Sequence, residues 1–530
     1  MNTLKLKIKD YIQPFEKRLA FMELERVSSI SNVDVNVDGF FSLATELKPE
    51  EIADKLAYWE YVLDSDTIFY TKQSRLEATT NITRNGISID DIKISLPFKQ
   101  DIPLPRRRCL RYASHGIHEY RGKFFPQLVR SLINISGIKD GATVADPMIG
   151  SGTTLVESLV SGKKCLAVDM NPLSVFIAKV KAQILTLAPD DLAYEYSALR
   201  NILLNEKDKK ELNYFKTLDD CDQKYLSEWF SPDVLTSLDD IITRVMSVKE
   251  PIIKNLFIVC LSNIIRKVSW QKDADLRVRK DVRLDAEIDP KKEFLEELGR
   301  TVRSILSFLY EHGPLINIDY SVSENDARNC GNIWGRDSVD LVITSPPYAT
   351  ALPYLDTDRL SLYFLGMLSR PQHRRLDQNM IGNREINEKT RIKYIDNFHK
   401  NKDQLPQSVK DLILKIDSLN SKGTVGFRRK NLSALLAKYF FDMKSVLQGI
   451  HYCLKPGSSA YIVIGDNHTV AGGQRIEINT ADLLEEIAAL VGFLVEPCIP
   501  MEILISRDIH RNNAMISEKI LFLRKSGYSV

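Results

Sequence analysis

From about residue 112 onward, short apolar runs alternate with stretches of helical periodicity. That alternation is the pattern of βαβ units wound around a parallel sheet. Strands are expected at Thr143–Ala145, Lys164–Val168, Ile318–Val322, Val339–Thr344 and Ser459–Ile464, with two more near Met501–Ser506 and Lys519–Arg524. Helices are expected after several of them, including Thr154–Ser161 and Ala481–Leu490. A chain of this kind folds as a doubly wound α/β domain, and such sheets bind ligands outside the carboxyl ends of their strands.

Two long segments interrupt the pattern. The first, 180–315, is helical by periodicity and carries a basic stretch from Arg266 to Arg283. The second, 357–437, shows no clear period. Between Arg370 and Lys430 it holds fifteen Lys/Arg against seven Asp/Glu, and a local basic excess is the expected footprint of a phosphate backbone. That concentration stands out because the whole chain has a net charge of only +2, from 72 Lys+Arg and 70 Asp+Glu. The expected division is a helix-rich accessory region over 1–100, an α/β domain assembled from 101–179, 316–356 and 438–530, and the two insertions between. Ile102 to Arg111, with two prolines and four arginines, reads as a linker or arm. The start, MNTLKLKIKDYIQPFEKRL, alternates charged and apolar residues at what reads as helical spacing.

Seven cysteines, none in a CxxC pair or at ligand spacing from a histidine, argue against a disulfide scaffold and against a zinc site. No signal-peptide pattern and no run of about 18 apolar residues is present. A cytoplasmic protein with no metal and no membrane partner is expected.

VADPMIGSGTTLVES (Val144 to Ser158) reads as a strand, an acid at its end, a glycine turn and a helix. Gly150 and Gly152 let backbone approach a ligand closely, and the helix beginning near Thr153 points free N–H groups at it. A second acid, Asp169, ends the next strand 23 residues after Asp146, where a carboxylate suits ribose hydroxyls. The turn is GSG led by Asp-Pro, not the GxGxxG that cradles a pyrophosphate. It suits a cofactor with a cationic amino-acid end and no phosphate.

The apolar strand VDLVIT runs into Ser345-Pro346-Pro347-Tyr348. The prolines hold their preceding residues extended and remove two backbone donors. What remains is a stiff loop with outward carbonyls, a hydroxyl and an aromatic ring. A planar heterocycle stacked on Tyr348 would place its amino hydrogens on the Ser345 hydroxyl and the Pro346 carbonyl.

Together these motifs resemble those of the DNA amino-methyltransferases, whose signature pairs an Asp-Pro-x-x-Gly-Ser-Gly cofactor loop with an (Asp/Asn/Ser)-Pro-Pro-(Tyr/Phe) catalytic loop. HEYRGKFFPQLVRSL (His118 to Leu132) resembles the motif that precedes the cofactor loop, NDARN (Asn325 to Asn329) the third-strand motif, and VIGDN (Val463 to Asn467) and EKILFLRK the later strands. The resemblance covers about 112–175 and 318–527. It implies a Rossmann-like fold and S-adenosyl-L-methionine as cofactor, with Lys123, Asp146, Gly150, Ser151, Gly152 and Thr153 around its methionine side, Asp169 at the ribose and Asp326 at the adenine. It implies that Ser345, Pro346, Pro347 and Tyr348 hold the target base. Met148 replaces the usual aromatic of the cofactor loop, and Glu119 stands where the early motif often has proline. Serine at the first catalytic position is typical of cytosine-N4 enzymes and aspartate of adenine-N6 enzymes, so cytosine N4 is the expectation and adenine N6 the alternative.

The implied partner is duplex DNA, with base flipping, and a cognate restriction or defence nuclease. The competing readings are an RNA base methyltransferase and a non-catalytic DNA-binding subunit. His115 and His118 read as packing or backbone-binding residues, because an exocyclic amine needs no strong base before attack. Trp270 reads as core more readily than as a stacking platform, and Asp356 and Asp358 have no assigned contact.

Overall fold

The computed structural model describes residues 2–29, 34–35, 40–83, 86–100, 102–120, 125–206, 211–272, 279–282, 287–349, 354–421, 426–502 and 517–527. The chain opens with strand β1 (Asn2–Ile8), then helix α1 (Pro14–Ser28), β2 (Asp34–Val35), β3 (Phe41–Thr45), β4 (Trp59–Asp64), β5 (Thr67–Tyr70) and helix α2 (Lys72–Thr83). The five strands form an antiparallel sheet in the order β2-β3-β1-β4-β5. The helical spacing expected of the first residues is therefore corrected, while the region as a whole mixes this sheet with helices such as α1 and α2. Leu4, Leu6 and Ile8 are buried while Lys5 is exposed and Lys7 half-buried, a period of two that belongs to a strand. Nor is 102–111 a free arm: Arg108 pairs with Glu16 at 2.5 Å and covers the Phe125 ring, and the Cys109 carbonyl accepts from Gln127.

The second sheet starts after helix α3 (Pro126–Ser136). β6 (Thr143–Asp146), helix α4 (Thr153–Val160), β7 (Lys164–Asp169) and helix α5 (Pro172–Gln183) follow in βαβ order. The first insertion leaves here as helices α6 (Pro189–Asn205), α7 (Pro232–Met246), α8 (Pro251–Ile265) and α9 (Pro290–His312), and returns through β8 (Tyr320–Glu324) to β9 (Val339–Thr344). The second insertion adds α10 (Arg370–Asn379), α11 (Glu388–Asn401) and α12 (Gln407–Ser421). Helix α13 (Leu432–Cys453) then leads to β10 (Leu454–Gly465), the hairpin β11 (Asn467–Ala471) and β12 (Gln474–Ile478), helix α14 (Thr480–Val491), and the edge pair β13 (Phe493–Glu502) and β14 (Ser517–Lys525). The boundary expected at 437 falls inside α13. The strand expected near Met501–Ser506 starts at Phe493, and 503–516 lie outside the described residues.

Seven strands are ordered β13-β14-β10-β9-β6-β7-β8, parallel except that β14 runs against both neighbours. From β6 the chain proceeds to β7 and β8 on one side and then returns to β9 on the other. The β6–β9 boundary is thus a switch point, where open α/β sheets leave a crevice at their carboxyl edge. β9 is buried on both faces, apart from a half-buried Asp340, as a central parallel strand should be.

Each appended region shares a core with this sheet or with the helices that cover it. Leu4, Leu6 and Leu24 of the amino-terminal module pack with Leu128 of α3 and with Val144 and Leu341. The first insertion joins Val156, Val160 and Ile177 of α4 and α5, together with Leu360, Leu362 and Phe364 beyond the catalytic loop. The second insertion packs Val409, Ile413 and Ile416 with α13 and α14. Those three residues have the i, i+4, i+7 spacing of an amphipathic helix, a period present in the sequence after all.

Candidate active site at the sheet switch point

The strand register aligns three acids along one edge. Asp146 ends β6, Asp169 ends β7, and Asp326 lies two residues beyond β8, whose Glu324 is paired with Asp169. Asp146 is buried with every described donor aimed at it: Met148 N–H at 3.0 Å, the Thr154 hydroxyl at 2.7 Å and the Thr344 hydroxyl at 2.7 Å. Burial outweighs these donors, and its carboxyl is pushed up to about 6. Thr344 is the residue before Ser345, so one buried carboxylate joins the Asp-Pro turn to the strand that leads into the Ser-Pro-Pro-Tyr loop. No sequence motif flagged Thr344; its signal was a hydroxyl residue closing an otherwise apolar strand.

Asp169 accepts Gly150 N–H and Asn171 N–H, each at 2.8 Å, and removal from solvent raises its carboxyl above the usual range. Gly150 has φ +49°, and a Cβ there would lie 3.1 Å from the Tyr120 ring. Tyr120 accepts from the Ser174 hydroxyl at 3.2 Å and is a residue the sequence left without a role. Gly152 differs from expectation. It has φ +85°, and a Cβ there would meet Ala178 of α5 at 3.1 Å, so its small size serves helix packing. Ser151 and Thr153 are buried at the start of α4; Lys123 lies outside the described residues. Asp326 accepts Arg328 N–H at 3.0 Å and its Nε at 2.9 Å.

Behind the turn, Glu157 of α4 takes the Tyr112 hydroxyl at 2.8 Å, His115 Nε2 at 2.7 Å and Arg130 Nε at 2.8 Å. Burial alone would raise this carboxyl, but the Arg130 charge and the His115 contact hold it down at about 2. His118 Nε2 lies 3.2 Å from the Ser262 hydroxyl. Both histidines are buried and meet side chains here. A cavity of about 800 Å³ opens on the insertion side of Tyr120, bounded also by His118, Arg300, Asp358 and Ser361.

The catalytic loop leaves β9 with Ser345 half-buried. Tyr348 does not present an open face: it is 8% exposed, and its hydroxyl donates to Glu518 of β14. The Ala349 carbonyl accepts Asn467 Nδ2 at 2.9 Å. Gly382 of the second insertion, at φ +77°, backs the loop; a Cβ there would lie 3.0 Å from Pro347 Cβ and 3.2 Å from the Tyr348 carbonyl oxygen. Glu518 and Gly382, far from the motif in sequence, gave no local signal. Trp270 is half-buried, with the Lys280 ammonium 5.2 Å from its ring. The basic stretch around it is only partly within the described residues. Asp356 lies 3.8 Å from His373.

Residues 118–216 match the model of a family described as RMKL-like, methyltransferase domain. The Type II methyltransferase M.MvaI of Kocuria varians is 25% identical over 393 residues, 71% of this chain and 80% of its own. M.BsoBI of Geobacillus stearothermophilus is 23% identical over 416 residues, 72% of this chain and 78% of its own. Among solved structures, TrmN from Thermus thermophilus aligns over 99% of this chain and 100% of its own at 10% identity and a TM-score of 0.33. An Asp-Pro turn and a Ser-Pro-Pro-Tyr loop thus meet at the switch point of a mostly parallel sheet, in a chain that matches a methyltransferase domain model over 118–216 and is similar to Type II methyltransferases over 71–72% of its length.

Proposed function

We propose that the chain transfers a methyl group from S-adenosylmethionine to the exocyclic amino group of a base in duplex DNA, with cytosine N4 as the target. One observation carries the reading: Asp146 of the cofactor turn is hydrogen-bonded to Thr344 at 2.7 Å, one residue before the catalytic loop. The two motifs therefore meet at one point of the sheet. The residues present fit the cofactor: three carboxylates end adjacent strands, Gly150 leaves the turn bare, and Tyr120 stands beside it. Asp146 and Gly150 would hold its methionine side, Asp169 its ribose and Asp326 its adenine. When bound, the cofactor supplies an electrophilic methyl group.

The loop's part is to hold and polarise the amine. Pro346 and Pro347 carry no N–H, so the loop offers the base acceptors: the Ser345 hydroxyl oxygen and the Pro346 carbonyl. Accepting the amino hydrogens turns the nitrogen lone pair toward the methyl donor. Once methylated, the nitrogen would carry a proton that the Ser345 hydroxyl and the Pro346 carbonyl could hold until water takes it. The target amine is engaged in base pairing within the duplex, so it must leave the stack. Tyr348 must also open its packed ring to receive it.

The second insertion is the proposed reader of the target. Gly382 belongs to it and backs the loop, and its basic excess faces a polyanion well. Its turn Phe427–Lys430 immediately precedes α13, which runs down to the start of β10; β10 then rises to the catalytic edge. On this reading that turn faces the target, with Phe427 56% exposed and Arg429 and Lys430 exposed beside it. A cytoplasmic location and a cognate nuclease belong to the same reading. Among the described residues, no helix is long and apolar enough to cross a membrane.

The test is incubation with labelled S-adenosylmethionine and unmethylated duplexes of varied sequence, followed by digestion to nucleosides. Labelled N4-methylcytosine is expected. Labelled N6-methyladenine would overturn the use of Ser345 as a base indicator, and label confined to an RNA control would overturn DNA as substrate.

A further inference from the structure

Asp326, assigned above to the cofactor adenine, is not a lone carboxylate. Arg328 grips it through backbone N–H and Nε and also donates Nη1 to Asp442 of α13 at 2.9 Å and Nη2 to the Asn379 carbonyl at 3.0 Å. Asn379 ends α10 of the second insertion. The next carbonyl, Met380, accepts Lys438 Nζ at 3.0 Å, and Lys438 in turn contacts Asp442. Two residues further on, Gly382 is pressed against Pro347 and the Tyr348 carbonyl. One guanidinium thus bridges the adenine end of the cofactor site to the short segment that backs the catalytic loop.

The bridge has a rigid footing. Gly331, in the turn that carries Arg328, lies so close to Gly449 of α13 that a Cβ on it would sit 3.1 Å from the Gly449 Cα. A Cβ on Gly449 would sit 2.6 Å from Cys330 Sγ. The turn and α13 therefore move together, while 379–382 is held to them through carbonyl contacts. An arginine suits this place because its planar fork can serve a carboxylate, a second carboxylate and a carbonyl at once. A lysine offers a point charge without that geometry.

We propose that Arg328 is a positioning residue that couples the two substrates: filling the adenine site fixes Asp326 and Arg328, which fixes 379–382 behind the catalytic loop. Cofactor and target DNA then favour each other's binding. The proposal rests on the functional reading above. It follows from reciprocity that DNA must tighten the cofactor site by the factor with which the cofactor tightens DNA.

The experiment measures binding of S-adenosylhomocysteine by calorimetry, with and without the unmethylated duplex that accepts label in the assay above, for wild type, Arg328→Lys, Arg328→Met and Asp442→Ala. The ratio of the two dissociation constants is the coupling. In the wild type it is expected at about fivefold or more, falling to about one in Arg328→Met and to intermediate values in Arg328→Lys and Asp442→Ala. An arginine with a merely structural role would weaken both constants and leave their ratio intact, and that result overturns the proposal. So does a wild-type ratio of one. Should Arg328→Met not fold, an unchanged ratio in Asp442→Ala overturns it equally. If the wild type binds no S-adenosylhomocysteine, or no duplex accepts label, the functional reading itself fails and the proposal falls with it.

Discussion

The two halves of the site are built on opposite plans. On the cofactor side, buried carboxylates are wrapped by donors from several elements: Asp146 by Met148, Thr154 and Thr344, and Glu157 by Tyr112, His115 and Arg130. On the target side, two prolines strip the loop of donors, and it is held by a few points: the Tyr348 hydroxyl on Glu518, the Asn467 amide on the Ala349 carbonyl, and Gly382 behind. Breaking the first plan leaves a buried charge without its partner, which is costly. Breaking the second releases a part-buried hydrogen bond and strands no buried cation. Under the proposed function, the difference suits a frame ready before its ligand arrives, beside a loop that opens for a base.

Glu157→Ala attacks the hardened side most directly. It strands the Arg130 guanidinium in the interior and is expected to cost about 3–5 kcal/mol of stability, read from urea or thermal unfolding. A loss under about 1 kcal/mol would mean that packing, not charge, hardens the frame. Glu157→Gln, which keeps the shape and some acceptors, should lose less.

Tyr348→Ala attacks the soft side. Loss of base stacking should lower turnover by about 10- to 100-fold, while S-adenosylhomocysteine affinity stays within about twofold of wild type. A parallel collapse of cofactor binding would erase the distinction between the halves. The pH dependence sharpens it further. Asp146, pushed up to about 6 by burial, holds its proton more tightly in the fold than it would unfolded. Its contribution to stability is therefore fullest below the ordinary aspartate range and declines as pH rises through 6. A cationic cofactor favours the ionised form, so its affinity should be full above pH 7 and about tenfold weaker at pH 5. Asp146→Asn should flatten that profile, and an unchanged slope in the variant would assign the proton elsewhere.

The smallest effect is expected from Glu518→Gln. The neutral amide can still accept from Tyr348, so turnover should stay within about threefold of wild type. A hundredfold loss would show Glu518 acting in the chemistry and not as a latch.

The parts of the site that could be read from sequence are those whose residues are close neighbours in the chain. DPMIGSG and SPPY each encode a strand end and a turn within a few residues, and the structure brings the two together. What escaped was set by contacts between distant segments. Gly382 meets Pro347 across 35 residues, and Glu518 meets Tyr348 across 170. Arg328 carried no assignment within NDARN, because its partner Asp442 lies 114 residues away. The amino-terminal sheet was missed for another reason. Its first strand alternates at period two for only seven residues before Pro14 opens a helix, and a window spanning both blurs the two periods. The module is moreover tied by pairs such as Lys9 with Glu77 across 68 residues, which no local pattern announces.

The three shared cores have a practical meaning for anyone hoping to carve out a minimal enzyme. Removing the first hundred residues would bare Leu128, Val144 and Leu341 under the sheet, and deleting the first insertion would bare Val156 and Ile177 above it. Neither appendage is a passenger that can be left off, because one covers apolar side chains of the sheet and the other those of α4 and α5. A new specificity would have to be built by repacking side chains in place, with the chain kept at full length.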